Sequence, residues 1–224
     1  MSLGEITVLL SPELILLLTG LVVLIVDFVW REVVPEAASA EGADGTSAMV
    51  SSVERKTLWI PALALIGLAA ALVATVLLWD TPPTIVLSMM TVDPFALFFK
   101  IVAIACVMLV ILAAVPYLQG RTRFRGEFYA LLVFACLAIS LASSGIDLIA
   151  VYLGMEFLSI TSYVLAGYLR GNEKSNEAGI KYFLYGAVTS AAMLYGMSLL
   201  FGATGTTNLA GIAQFLMAGN PSLQ

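Results

Sequence analysis

The chain contains no histidine, only two cysteines and few charges, with ten Lys and Arg and fifteen Asp and Glu among 224 residues. Without histidine or a CxxC pair, a transition-metal, haem or iron–sulfur centre has almost no ligands to draw on. Cys106 and Cys136 both sit inside apolar runs, where cysteine acts as a small hydrophobe. No dinucleotide or flavin fingerprint appears either, so the chain is expected to bind no cofactor of its own. The net charge of −5 argues against a nucleic-acid partner. With only 11% of residues charged, a soluble domain of this length could not wet its surface.

What fills the chain instead is apolar: 61% hydrophobic residues and a mean hydropathy of +1.02. Crossing the hydrocarbon takes a run of about 20 apolar residues, and such runs recur. The pattern predicts an all-α, polytopic bundle with six spans, at about 12–30, 58–79, 94–117, 128–146, 148–169 and 178–201. Trp30, Trp59, Trp79, Tyr117 and Tyr168 fall at span ends, where amphipathic rings favour the headgroup layer. The first span is read as retained, because Glu5 and Glu13 stand where a secretory signal carries basic residues.

Basic residues set the expected orientation. Arg31, Arg55 and Lys56 follow span one, Arg121, Arg123 and Arg125 follow span three, and Arg170 and Lys174 follow span five. The other connections and the termini carry none, which places the N-terminus outside and these three loops in the cytoplasm. Residues 35–57, small, polar and acidic, are expected to form a flexible cytoplasmic loop. In 207–218, Leu209, Ile212, Ala213 and Leu216 share a helical face, as in a short amphipathic helix along the outer surface. No internal repeat is visible.

The ionisable residues within the spans are the candidates for function. Glu13 opens the first span, where a carboxylate meets the positive helix end. Asp27 stands four residues before Arg31, and Lys100 is near enough to the outer end of span three to snorkel. These three are read as interfacial. Glu156 differs: nine residues past Asp147, it lies about 13 Å below the outer boundary, close to mid-bilayer. An acid there costs about 2.5–3.5 kcal/mol on insertion scales and marks an ion pathway by default. Tyr152, Glu156, Ser159, Tyr163 and Gly167 form one stripe, with Leu158, Leu165 and Leu169 opposite. Hydroxyls beside a carboxylate can hold water through a change of protonation. Lys181, one turn into span six, has two readings: an ordinary ion pair with Glu177, or the cytoplasmic entrance to a pathway that Tyr185 and Thr189 continue inward. Gly186 with Ser190, and Ala192 with Gly196, repeat the small-xxx-small spacing of close helix packing.

The stretch "YLGMEFLSITSYVLAGYLRGNEKSNEAGIKYFLYGAVTSAAMLYGMSLLFGATGTTNL" resembles the subunit N family of bacterial proton-translocating NADH–quinone oxidoreductase, respiratory complex I, whose counterparts are mitochondrial and chloroplast chain 2. Its features are Glu156 with Leu158 and Ser159, the "YVLAGYLR" exit, "NEAGIKYFLYGA" opening span six, and the closing "YG" and "GATGT". "SPELILLLTGLVVLIVD" and "VDPFALFFK" are similar to the family's first and third spans, whereas sister subunits L and M differ around the glutamate. The resemblance implies an antiporter-like membrane-arm subunit in the bacterial inner membrane. It would be a non-redox part of a translocase whose NADH, FMN, iron–sulfur clusters and quinone belong to other subunits. Its partners would be those other membrane-arm subunits and the lipid bilayer. Glu156 then matches the family's fifth-helix glutamate and Lys181 its sixth-helix lysine. The family pairs the glutamate with a lysine on a broken seventh helix and continues to about fourteen helices in two inverted repeats. These six spans do not include that lysine, so the resemblance implies either an N-terminal portion of a longer subunit or a remainder in another chain. Two other functions stay open: a subunit of a multi-subunit cation/proton antiporter, and a purely structural membrane scaffold.

Overall fold

The computed structural model describes residues 2–33, 46–119, 121–122 and 124–219. Its elements run α1 (Leu3–Leu9), α2 (Ser11–Val33), α3 (Thr46–Leu77), β1 (Thr84–Val86), β2 (Met90–Val92), α4 (Pro94–Leu118), α5 (Arg125–Ser144), α6 (Leu148–Ala166), α7 (Glu173–Thr204) and α8 (Leu209–Ala218). Six of the helices, α2 to α7, are long and apolar enough to cross a membrane, and the all-α polytopic class stands. The starts of the later ones follow from their sequence. Asp93 accepts from Ala96 N at 2.8 Å ahead of Pro94, whose ring pre-sets the first helical φ. Asp147, Asn172 and Asn208 cap α6, α7 and α8 in the same way.

α5 is the hub, packing on α2, α4 and α6, while α7 joins the bundle mainly through α6. The core between α2, α3, α4 and α5 holds Leu16, Leu68, Ile104, Ile111, Tyr129 and Val133, all essentially sealed. With lipid as apolar as leucine, such packing depends on close van der Waals fit. Gly154 provides it between α5 and α6, since a Cβ there would lie 2.8 Å from the Ala142 backbone.

The two ends of the bundle are built differently. At one end, a second apolar cluster of Leu78, Val86, Val92 and Leu97 is covered by Ile6, Leu9 and Leu10. There β1 and β2 form an antiparallel hairpin that the sequence does not announce. Met89 N donates to the Val86 carbonyl around Leu87 and Ser88, whose φ values are 54° and 60°. Such a turn ordinarily carries Asn-Gly. The hairpin continues into neighbouring loops: Ile146 N donates to Met89 O at 2.9 Å, and Leu209 N to Ile146 O at 3.0 Å. At the other end, Arg121 lies over the Tyr117 ring, and the Tyr168 hydroxyl donates to the Phe124 carbonyl. These are the capped end and the basic end below.

Of the loop expected at 35–57, residues 46–57 are helical and residues 35–45 lie outside the described residues. Backbone from Thr46 onward is already helical and continuous with the second span. This segment lacks the Pro35, Gly42 and Gly45 that interrupt the preceding stretch, which lies outside the described residues. In α8, only Ile212 of the expected stripe is buried, and Leu209 and Leu216 are exposed.

Candidate functional site

Glu156 stands at the ninth position of α6, half-buried, with Oε1 shut from solvent and, among the described residues, without a hydrogen-bond partner. One turn earlier on the same face of α6 stands half-buried Tyr152. The stripe that carries both faces α7. Tyr163 packs edge-on against the Tyr182 and Phe183 rings, with centroids 4.8 and 5.8 Å away, and its hydroxyl occupies the space above Gly186. Further along, Gly167 and Gly179 meet backbone to backbone, and a Cβ on Gly179 would fall 2.8 Å from the Gly167 Cα. Ser159 is half-buried, and its carbonyl accepts from the Ser162 hydroxyl, which also contacts the Tyr182 hydroxyl at 3.2 Å. The exposed side of α6 carries Ile149, Leu153, Ile160 and Val164. Of the leucines opposite the stripe, Leu165 packs against the core.

Lys181 does not join this stripe. It is largely exposed and paired with Glu177 at 2.5 Å, one helical turn away. Tyr185 and Thr189 are exposed as well, the Thr189 hydroxyl donating to its own helix at the Gly186 carbonyl. The α7 face toward α6 is instead made by Gly179 and Gly186, the latter a member of the first of the two small-xxx-small pairs. Gly196, in the second, has open space around it. Antiparallel packing at Gly167–Gly179 and Tyr163–Gly186 places Glu156 level with about residue 191 of α7. Lys181 is therefore about 15 Å away along the helix axis, toward the basic end. Between α6 and α7, toward the capped end, an apolar groove is lined by Leu148, Ile149, Tyr152, Leu194, Met197 and Phe201.

A second buried constellation overturns two of the interfacial readings. Lys100 does not snorkel. Its Nζ lies 2.5 Å from Glu13 Oε1, with the two side chains only 1% and 7% exposed. Ser140 of α5 donates to that same oxygen at 2.9 Å, and Oε2 of Glu13 is sealed without a partner. Lys100 stands on the inward stripe of α4 with Leu97, Ile104, Val107 and Ile111, facing α5, so its ammonium has no route outward. The stripe is visible in the sequence only afterwards, because α4 is apolar on every side. Asp27, the third of that group, lies over the Gly126 position at the start of α5, and the side chain of Arg31 lies outside the described residues. Near the capped end, Asp147 accepts from the Thr207 hydroxyl at 2.5 Å and from Ile149 N at 2.9 Å, a lock that the sequence did not reveal.

Residues 145–224 match the model of a family described as NADH:quinone oxidoreductase/Mrp antiporter, transmembrane. Over 206 residues the chain is 36% identical to NADH-quinone oxidoreductase subunit N of Dehalococcoides mccartyi, covering 92% of this chain and 38% of that one. Over 144 residues it is 42% identical to the subunit N of Heliobacterium modesticaldum, covering 64% and 30%. The chain is a homologue of subunit N. It spans about a third of the length of these relatives. The fold agrees: a chain of respiratory complex I from Thermus thermophilus superposes with a TM-score of 0.65 at 25% identity, covering 93% of this chain and 42% of that one. A chain of the membrane-bound sulfane sulfur reductase, an archaeal respiratory membrane complex, shares the fold at the same TM-score and 19% identity, covering 98% and 41%. Bacterial relatives, a transmembrane family model and six apolar helices make this subunit N homologue a multi-pass bacterial membrane protein.

Proposed function

We propose that this chain contributes a proton pathway to the membrane arm of an NADH:quinone oxidoreductase, with all redox chemistry in other subunits. One observation carries the reading: the mid-helix carboxylate of Glu156 has one oxygen enclosed and unpartnered, on the helix face that meets α7. A carboxylate within a membrane span marks an ion pathway by default, and among the described residues Glu156 has no ion-pair partner. Tyr152, Ser159 and Tyr163 supply hydroxyls along the same stripe. Lys181, nearer the basic end, serves as an input-side group, with Tyr185 and Thr189 on its helix. The 25% identical complex I match and the subunit N relatives support the redox-linked setting. A cation/proton antiporter complex is the second reading, favoured by the other half of the family description.

Glu156→Gln in the full-length protein, within its assembled complex, should abolish most proton translocation while assembly and electron transfer persist. Proton-to-electron coupling equal to that of the unsubstituted complex would exclude the role. Translocation driven by a cation gradient without electron transfer would favour the antiporter reading.

A further inference from the structure

The buried pair of Glu13 and Lys100 calls for an explanation beyond fold stability. Replacing a buried ion pair with well-packed apolar residues is commonly neutral or stabilising, so stability alone does not require two charges on the inward faces of α2 and α4. The surroundings are closed. Leu97, one turn from Lys100 on α4, belongs to the apolar cluster that α1 covers at the capped end. The height of the pair is fixed by the packing of α5 on α6. Gly154 lies against Ala142, and Gly145 against Val151. This antiparallel register places Ser140 level with Glu156. Ser140 is two residues from Ala142, about 200° around α5, so it faces the other way. Two acids, the half-buried Glu156 and the buried, Ser140-bonded Glu13, therefore stand at one depth on opposite sides of α5.

We propose that Glu13, Lys100 and Ser140 form a second proton-exchanging station at the level of Glu156. The proton moves along the 2.5 Å contact from Lys100 Nζ to the Glu13 carboxylate. One N–H bond breaks and one O–H bond forms, turning ammonium and carboxylate into amine and carboxylic acid with no change in net charge. Both charges vanish together, so the neutral pair needs no counter-ion in a closed apolar setting. The accepting atom is Oε1, to which the Ser140 hydroxyl also donates, and Oε2 is sealed with no hydrogen-bond partner among the described residues. Among the described residues, the other acidic and basic groups on the surrounding elements stand apart. Glu5, Asp80, Asp93 and Asp147 are at the capped end, Asp27, Arg125 and Glu127 are toward the basic end, and Glu156 is across α5.

The test is infrared spectroscopy on the full-length protein in its membrane complex, read as the difference between the unsubstituted and substituted proteins, because a transfer within the pair takes up no proton from bulk. A carboxylic C=O band should be present in the unsubstituted protein and in Glu156→Gln, and lost in Glu13→Gln. If Glu13→Gln does not assemble, Glu13→Asp should shift the band instead of removing it. A spectrum indifferent to residue 13 would mean permanent ionisation and overturn the proposal. A second arm rests on the function proposed above. Glu13→Gln with Lys100→Met leaves no lone buried charge, and it should assemble yet translocate several-fold fewer protons per electron. Assembly with undiminished translocation would overturn the station. If Glu156→Gln alone leaves translocation intact, the proposed function fails while the Glu13 band remains readable.

Discussion

The bundle around α5 and the α6–α7 pair handle charge in opposite ways. In the first, Glu13 and Lys100 are sealed, joined to each other and braced by Ser140. In the second, Lys181 and Glu177 are joined at the same 2.5 Å, but more than 60% of each side chain is exposed. Identical contact lengths therefore conceal very different energetics, because the surroundings set the worth of an ion pair. Glu156 lies between these extremes, half-buried and with one oxygen lacking a partner.

The largest expected effect tests that contrast directly. Lys100→Met strands the Glu13 carboxylate in the core and should destabilise the protein by about 3–5 kcal/mol, read as a fall in thermal unfolding temperature in detergent. Lys181→Met should cost no more than about 1 kcal/mol in the same assay. If the two variants behave alike, the distinction between sealed and open pairs is wrong. Next, Thr207→Val removes the hydroxyl that Asp147 accepts from and should cost about 1.5–3 kcal/mol, with faster amide exchange at the start of α8. Gly154→Ala drives a methyl into the Ala142 backbone and should cost about 1–3 kcal/mol. Gly196→Ala, on the open helix with nothing nearby, should stabilise by up to about 1 kcal/mol. The smallest effect lies in the hairpin, where Ser88→Gly relieves a left-handed backbone and should add about 0.5–1 kcal/mol of stability.

The six spans were legible because a run of about 20 apolar residues has few alternatives to crossing the bilayer. The stripe from Tyr152 to Gly167 was legible too, since its polar and small residues contrast with the leucines opposite. Lys100 was misread because its distance from the helix end allowed an escape that tertiary packing forbids. On α4, apolar on all sides, no periodicity separates the α5-facing side from the one bearing Phe95, Phe98 and Val102. The hairpin escaped notice because its strands have three residues each and its turn, Leu87–Ser88, lacks the usual turn residues. Lys181, Tyr185 and Thr189 do share a face as the spacing indicated, but spacing within one helix cannot say which neighbour that face meets.

α7 is pinned at both of its extremities. Near the basic end, Ser175 donates to the Ala166 carbonyl and Asn176 to that of Arg170. At the far end, Gly205 takes the left-handed turn that releases the chain, and Thr207 then clasps Asp147 and, through its carbonyl, Leu148 N. A rod held like this cannot slide lengthwise against its neighbour. The freedoms left to it are to roll about its own axis or to flex in the middle like a bowstring, and that middle is where it passes Glu156.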